Sequence, residues 1–202
     1  QDISKLPFPD KGVFNYLKYL KYNRGLATFI SSFGCPFLCS YCINKSIMNL
    51  FNKDKESYVR FKPIDYLIKE IKEVLSQYKV REIEFYDETF TIDKNRVKNF
   101  CEFYKKEIGL PFYINARVDT INEEILSFLK DAGCVRISMG IETGDSYVRN
   151  EVLKRKQTDQ QIINAFKLVK KYKIQTLSYN MVGIPFETKE SIKKTIELNR
   201  IC

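Results

Sequence analysis

The chain has 202 residues, of which 44% are hydrophobic and 29% are charged, with 34 Lys and Arg against 25 Asp and Glu, a net charge of +9, and no histidine. This length suffices for one domain with a sizeable core, and no apolar run approaches the roughly 20 residues that a membrane-spanning helix needs. No block of about five or six like charges occurs, so the positive charge favours a solvated, lysine-rich surface over a nucleic-acid site.

The first 25 residues predict an irregular lead-in, because two early prolines are followed by clusters of Tyr, Leu and Lys. We interpret 1–25 as a linker that arrives from a preceding domain; the alternative is a segment that caps the main domain. The chain begins with Gln1 and ends at Cys202, and we expect it to be a piece of a longer protein. The apolar run 26–31 predicts a first, buried strand.

Three of the six cysteines follow this strand within eight residues, at Cys35, Cys39 and Cys42, in the spacing Cys-x3-Cys-x2-Cys. Thiolates this close in sequence predict one shared, soft metal centre. Because the chain has no histidine and structural zinc takes four ligands, the spacing favours a 4Fe–4S cluster with one iron left open. The other cysteines stand alone and are interpreted as small hydrophobic residues; they are Cys101, Cys134 and Cys202.

The rest of the chain alternates strands with helices. Strands are predicted at 82–86, 112–116, 135–139 and 177–182, and helices from Pro63, about Lys94, Thr120, Thr158 and Thr188, with capping boxes at Thr120/Glu123 and Thr158/Gln161. This alternation predicts an α/β fold with a parallel sheet and helices packed outside it.

Two acidic residues, Asp87 and Glu88, follow the strand 82–86, where parallel sheets place binding groups. They are suited to a cationic ligand; the alternative is a turn that caps the next helix through Thr91 or Asp93.

Further polar residues follow the later strands. Arg117 is suited to a bidentate grip on a carboxylate, or to a salt bridge with Asp119 or Glu142. Glu142 lies between two glycines and is suited to accept hydrogen bonds from ribose hydroxyls, or belongs to a solvated turn. Arg155 is a second candidate carboxylate clamp, or an exposed cation at a helix end.

The cysteine spacing, with Tyr41 directly before the third cysteine, resembles the signature of the radical S-adenosylmethionine (radical SAM) superfamily. Residues 6–10 (LPFPD) and 31–36 (SSFGCP) are most similar to the branch whose members carry a cobalamin-binding domain upstream. This resemblance implies an open, partial (β/α)6-type TIM barrel with parallel strands over 26–202. About five strand–helix units are visible, so we expect the sixth strand beyond the end of the chain.

The resemblance also implies cofactors and their ligands. The three cysteines would hold the cluster, and S-adenosylmethionine would chelate the open iron and be reductively cleaved to a 5′-deoxyadenosyl radical that abstracts hydrogen. Methylcobalamin, bound by a domain outside this chain, would donate a methyl group. The residues implied on the cofactor side are Tyr41, Asp87, Glu88, Ser138, Glu142, Arg155, Asn180, Gly183 and Ile184.

As partners, the resemblance implies a reductant such as flavodoxin or ferredoxin and a small-molecule or peptide substrate. A cluster of this kind requires a reducing compartment, which predicts the cytoplasm. Two alternatives stay open: a methylthiotransferase-like enzyme that modifies RNA, and an electron-carrying iron–sulfur module. The carrier needs a fourth ligand, which only Cys101, Cys134 or Cys202 could supply.

Overall fold

The computed structural model of the chain describes residues 3–51 and 58–202. Its strands are β1 (Leu26–Phe29), β2 (Ser32–Phe33), β3 (Arg60–Phe61), β4 (Glu82–Phe85), β5 (Phe112–Ala116), β6 (Cys134–Glu142) and β7 (Gln175–Asn180). Five of them form one parallel sheet in the order β1-β4-β5-β6-β7, and β2 pairs with β3 in a separate antiparallel ribbon. The strands of the large sheet therefore lie side by side in chain order.

Seven α-helices are described. They are α1 (Tyr16–Tyr22), α2 (Ile43–Leu50), α3 (Ile64–Gln77), α4 (Lys94–Glu107), α5 (Glu123–Asp131), α6 (Asp159–Lys171) and α7 (Lys189–Ile201). A helix follows each strand of the large sheet, and β1 and β7 remain unpaired to each other in the described ranges. The architecture confirms the α/β prediction of an open, partial barrel with about five strand–helix units.

Local capping explains where most helices begin. Asp93 accepts a hydrogen bond from the Arg96 backbone at 2.9 Å and starts α4, and Thr158 forms the expected capping box with Gln161 at the start of α6. The capping box expected at Thr120 is wrong. Asn122 caps α5 instead, because the Thr120 hydroxyl donates to the Arg117 carbonyl oxygen at 2.8 Å and ends a short 3-10 turn.

The stretch expected to be irregular contains α1. Its Tyr16 and Leu20 side chains are 3% and 5% exposed and belong to the main hydrophobic core. The structure thus packs part of the lead-in against the barrel, while its proposed role as a linker stays a prediction.

The core behind the sheet is rich in aromatic side chains. Phe85, Phe100, Tyr104 and Phe112 are all fully buried, and the Phe85 and Phe100 rings meet edge to face with centroids 5.2 Å apart. Each such side chain contributes roughly 1.5–3 kcal/mol through burial. Because β4, β5 and β6 are parallel neighbours, their carboxyl ends lie at one edge of the sheet. Among the described helices, none is long and apolar enough to cross a bilayer.

Candidate functional site

The cysteine loop leaves the sheet at the end of β1, and its first residues are hydrogen-bonded to Asp87, which follows β4. The Asp87 carboxylate is completely buried and accepts hydrogen bonds from the Ser31 backbone at 3.0 Å, from the Ser31 hydroxyl at 2.7 Å and from the Ser32 hydroxyl. The Arg96 guanidinium donates to the Ser31 carbonyl oxygen at 3.0 Å. These contacts join the start of the loop to the end of β4.

A glycine gives the loop a left-handed backbone conformation directly before its first cysteine. Gly34 has φ +87°, and a Cβ at this position would lie 2.8 Å from the carbonyl oxygen of Tyr58. Any larger residue would therefore be strained and would collide with backbone. The loop ends where Cys42 becomes the N-cap residue of α2, so the three cysteines are held between a strand end and a helix start.

The three cysteines line one cavity of about 280 Å³ at the carboxyl edge of the sheet. Its other walls come from the ends of β4, β5 and β6, from the segment after β6, and from β7. The lining residues are Cys35, Phe37, Cys39, Tyr41, Cys42, Asn44, Glu88, Thr89, Asn115, Ala116, Arg117, Ser138, Gly140, Glu142, Arg155 and Tyr179.

Each of the three sulfurs has a polar neighbour within hydrogen-bond distance. Arg117 Nη1 donates to Cys39 Sγ at 3.3 Å, and Asn44 Nδ2 donates to Cys42 Sγ at 3.4 Å. Cys35 Sγ lies 3.7 Å from Thr89 Oγ1, and either atom can donate. Hydrogen bonds of this kind orient metal-ligating side chains and tune the metal they bind.

The isolated cysteines lie in a different environment. Cys101 and Cys134 are buried within the hydrophobic core, and burial raises the pKa of the Cys101 thiol to about 12. A thiol with so high a pKa stays protonated near neutral pH in the absence of a metal, and neither Cys101 nor Cys134 lines the cavity of the other three cysteines. Burial also raises the pKa of Cys35, but this sulfur faces the cavity.

One ion pair forms a wall of the cavity. Arg155 Nη1 donates to Glu142 Oε1 at 3.0 Å and to the Tyr41 hydroxyl at 2.7 Å, and the Tyr41 hydroxyl in turn donates to Glu142 Oε1 at 3.0 Å. Arg155 Nη2 also donates to the Gly140 carbonyl oxygen at 3.0 Å. Burial raises the pKa of the Tyr41 phenol above its ordinary value, so the hydroxyl stays protonated and keeps its donor role.

A second ion pair adjoins the cysteines. Arg117 is paired with Asp119 through two hydrogen bonds, Nε to Oδ1 at 3.0 Å and Nη2 to Oδ2 at 2.9 Å. Of the alternatives left open for Arg117, the structure shows the salt bridge with Asp119. Glu142 pairs with Arg155 and not with Arg117.

Most of the residues expected on the cofactor side line the cavity together with the cysteines. They are Tyr41, Glu88, Ser138, Glu142 and Arg155. Asp87 lies beneath the loop rather than in the cavity wall, because its carboxylate is used by Ser31 and Ser32.

Three further expected residues lie outside the cavity. The Asn180 side chain donates to Asn199 on α7 at 3.2 Å. The Gly183 backbone donates to the Glu187 carboxylate at 2.7 Å, and Ile184 packs in a small separate cluster with Val148 and Leu153. Their contact with S-adenosylmethionine stays a prediction.

Sequence reasoning missed several lining residues, namely Phe37, Asn44, Thr89 and Tyr179. Phe37 and Asn44 are within or next to the cysteine motif, so their proximity was a usable signal. Nothing in the pattern around Tyr179 distinguishes it from an ordinary strand residue.

The donor set that the cavity offers is three thiols from one loop. Within residues 3–51 and 58–202, no three Cys, Asp or Glu side chains are grouped closely enough to hold one ion. In a 4Fe–4S cluster each cysteine binds a different iron, so the thiolates surround the cluster rather than meet at a point. Three thiols around one cavity, with no fourth cysteine in its lining, fit this donor set.

Comparison with curated proteins identifies relatives over nearly the whole chain. The chain is 29% identical over 198 residues to an uncharacterized methyltransferase of Pyrococcus horikoshii, covering 98% of the chain and 41% of that protein. It is 27% identical over 205 residues to the anaerobic magnesium-protoporphyrin IX monomethyl ester cyclase of Rubrivivax gelatinosus, covering 99% of the chain and 35% of the cyclase. The chain thus spans less than half the length of these relatives.

Solved structures with the same fold include one enzyme with cobalamin bound and one enzyme described as cobalamin-dependent. The radical S-adenosylmethionine methyltransferase TsrM from Kitasatospora setae superposes with a TM-score of 0.74 over 92% of this chain and 34% of its own, at 18% identity, in a structure with cobalamin and a 4Fe–4S cluster bound. The cobalamin-dependent S-adenosylmethionine radical enzyme OxsB superposes with a TM-score of 0.75 over 98% of this chain and 29% of its own, at 20% identity.

The family assignment rests on the whole domain and not on the cysteine motif alone. Residues 29–198 match the Radical SAM superfamily, a range that runs from the end of β1 to the last turns of α7 and includes every cavity-lining cysteine. The chain belongs to the radical SAM superfamily of enzymes.

Proposed function

We propose that the chain binds a 4Fe–4S cluster through Cys35, Cys39 and Cys42, binds S-adenosylmethionine beside it, and serves a cobalamin-dependent radical methyl transfer. The observation that carries this proposal is that the three thiols of one loop line a single cavity whose facing wall is the Arg155–Glu142 ion pair. Thiols supply the cluster ligands, and the polar wall supplies groups of both charges for a zwitterionic cofactor.

The relatives support methyl transfer as the reaction class. One relative is named a methyltransferase, and the fold is shared with a radical methyltransferase and a cobalamin-dependent radical enzyme. The cyclase relative favours a second candidate, radical cyclisation, which would begin at the same site. Transfer of the labelled methyl group of S-adenosylmethionine to a product distinguishes the two.

When bound, the cluster supplies the electron for reductive cleavage of S-adenosylmethionine. The chain's own residues would bind S-adenosylmethionine and orient it beside the cluster. Arg155 and Glu142 are paired with each other and bring a cation and a carboxylate to the cavity lining, Glu142 would accept from an amino or hydroxyl group, and Glu88 adds an acidic side chain beside the cysteines. Arg155 and Glu142 are 6% and 8% exposed, so water is largely excluded and their interactions with a charged ligand are strengthened.

Several partners belong to the same proposal. The cobalamin-binding domain would precede 1–25, the core domain would occupy 26–202, and a low-potential reductant such as flavodoxin or ferredoxin would deliver the electron. A reducing compartment such as the cytoplasm would keep the cysteines available.

The test compares two cysteine variants of similar burial. Cys39 and Cys101 are 6% and 4% exposed, but only Cys39 lines the cavity. After anaerobic reconstitution with iron and sulfide, we expect Cys39→Ala to lose the cluster absorption and to form no 5′-deoxyadenosine from S-adenosylmethionine with dithionite. Cys101→Ala should keep both, at a stability cost of about 1 kcal/mol for the small cavity it creates. Retained 5′-deoxyadenosine formation in Cys39→Ala would contradict the proposal.

A further inference from the structure

Arg117 is a buried cation with nearly all of its hydrogen-bonding capacity already used. It follows β5 directly and is 6% exposed. Beyond its two bonds to Asp119, Nη2 donates to the Arg155 carbonyl oxygen at 3.2 Å and Nη1 donates to Cys39 Sγ at 3.3 Å. A guanidinium engaged on these sides is not available as a carboxylate clamp for a ligand.

The orientation of Arg117 is fixed by two planar contacts. Its guanidinium carbon lies 3.8 Å from the centre of the Phe37 ring, which belongs to the cysteine loop itself. The fork made by Nε and Nη2 is held in plane by Asp119, so the remaining nitrogen, Nη1, is directed at Cys39. Bidentate pairing and stacking both restrict arginine strongly.

Asp119 is itself held in place from the other side. Gln157 Nε2 donates to Asp119 Oδ1 at 3.1 Å. Counting side-chain atoms alone, Asp119 is 27% exposed and Arg117 is 8% exposed. The carboxylate therefore stays beside the guanidinium and balances its charge. Cys39 Sγ therefore accepts a hydrogen bond from a guanidinium whose positive charge is partly balanced by Asp119.

We propose that Arg117 tunes the reduction potential of the cluster held by Cys39, raising it through the N–H···S bond, and that Asp119 limits this rise. The inference rests on the proposed function, because it requires a cluster at the three cysteines. Reduction adds negative charge to a cluster and its sulfurs, so a donor and a nearby cation stabilise the reduced form. Asp119 opposes this stabilisation by compensating the cation.

Two variants should therefore shift the potential in opposite directions. Arg117→Gln removes the cation and leaves the Asp119 carboxylate uncompensated, so the ratio of reduced to oxidised cluster at a fixed applied potential should fall by about tenfold, or about 59 mV for a one-electron couple. Asp119→Asn keeps the Cys39 contact and frees the charge of Arg117, so the ratio should rise. Arg117→Lys, which retains the charge without the fork, should lie between Arg117→Gln and the unaltered chain.

The measurement is a redox titration of the anaerobically reconstituted protein, followed by the electron paramagnetic resonance signal of the reduced cluster, with iron content determined for each sample. Arg136→Gln is the matched control. Arg136 also pairs with a carboxylate, Glu84 at 3.2 Å, and also lies over an aromatic ring, Tyr113 at 4.3 Å. Its removal changes the net charge equally but leaves the cysteine loop untouched, so we expect no shift.

The outcomes separate this inference from the proposed function. If the unaltered chain holds no cluster, the proposed function fails and the inference fails with it. If the cluster forms but Arg117→Gln and Asp119→Asn leave the potential unchanged, or shift it in the same direction, the inference alone is overturned. If all three variants lose the iron while Arg136→Gln keeps it, Arg117 is a structural support and not a tuning residue.

Discussion

Glu142 has a backbone conformation that few residues with side chains adopt. Its φ is +64°, and the pairing of β6 with β7 shifts register between Gly140 and Glu142. The strain of a positive φ costs on the order of 1 kcal/mol or more and persists where surrounding contacts hold it. Here those contacts are the Arg155 guanidinium and the Tyr41 hydroxyl, which turn the carboxylate back over Gly140.

The close approach of this carboxylate predicts the effect of a single methyl group. A Cβ on residue 140 would lie 2.1 Å from Glu142 Oε1 and 3.2 Å from Arg155 Nη2. We expect Gly140→Ala to displace the carboxylate, to lower the free energy of unfolding by about 1–3 kcal/mol, and to weaken S-adenosylmethionine binding by about tenfold while iron content is kept. Equilibrium unfolding and a spectroscopic titration of the reconstituted protein measure these effects.

Gly12→Ala is the control for this substitution. Its added Cβ would meet the end of the Asp10 side chain at 2.9 Å, and this flexible, exposed carboxylate can move aside. Unchanged stability and ligand affinity in Gly140→Ala would show that the wall formed by Glu142 and Arg155 is not the binding surface.

Not every partner at this scale could be predicted. The glycines on either side of Glu142 indicated a close backbone approach, and this was visible in the sequence. Arg117 was assigned a ligand carboxylate, Asp119 or Glu142, because the sequence does not show which side chains of β6 and the cysteine loop come close to the end of β5. The sequence contains no local signal for the contact between Arg117 and Cys39, which are 78 residues apart.

At the scale of elements, local chemistry predicted some boundaries and failed at others. The capping box at Thr158 was predicted and is present, because the Gln161 side chain returns to the backbone of its own cap. The box at Thr120 was wrong, since the Thr120 hydroxyl is engaged by Thr91 at 2.6 Å and by the backbone of Arg117. A cap pattern is decisive only where no tertiary partner competes for the same hydroxyl.

The junction between β1 and the cysteine loop should depend on Asp87. In Asp87→Asn an amide NH₂ group replaces one of the two carboxylate oxygens. If it replaces Oδ2 it faces the Ser31 backbone N–H, and if it replaces Oδ1 it faces the Ser31 and Ser32 hydroxyls. Buried donors would then lack an acceptor, so we expect the free energy of unfolding to fall by about 3 kcal/mol. We also expect the variant to bind less iron on reconstitution. Chemical denaturation and iron analysis provide the measurements.

Asp93→Asn makes the same chemical change at an exposed helix cap. Asp93 accepts one backbone hydrogen bond at the start of α4, a role that asparagine performs about equally well. A variant at Asp87 that behaved like this control would show that the loop is held by other contacts.

For the whole molecule, the alternation of strands and helices was enough to predict the parallel sheet. Each predicted strand of the large sheet is present within a few residues of its expected bounds. The ribbon of β2 and β3 was not predicted, because its strands have two residues each, too short for any periodicity. Helix α2 was also missed, since the adjoining cysteine motif dominated the interpretation of that stretch.

Asp145, which follows β6, makes one of the contacts between the end of this strand and the last helix. Its Oδ1 accepts from the backbones of Tyr147 at 3.0 Å and Val148 at 3.1 Å, and its Oδ2 accepts from Lys194 on α7 at 3.0 Å. The Val148 backbone N–H, followed by Lys194, holds the pKa of Asp145 below its ordinary value. Protonation of this carboxyl group therefore weakens one of the contacts that hold α7.

This linkage predicts an acid-dependent loss of stability. The folded-state pKa of Asp145 is lower than the unfolded value of about 3.9, so its contribution is fully present above about pH 5 and is lost as the pH falls through the folded-state pKa. Asp145→Asn should unfold at lower urea concentration than the unaltered chain at about pH 7, and the difference should shrink as the pH falls. Asp65→Asn is the control, because its carboxylate is 70% exposed and lies 3.8 Å from Lys69. A difference for Asp145→Asn that stayed constant between about pH 7 and pH 3 would contradict the assignment.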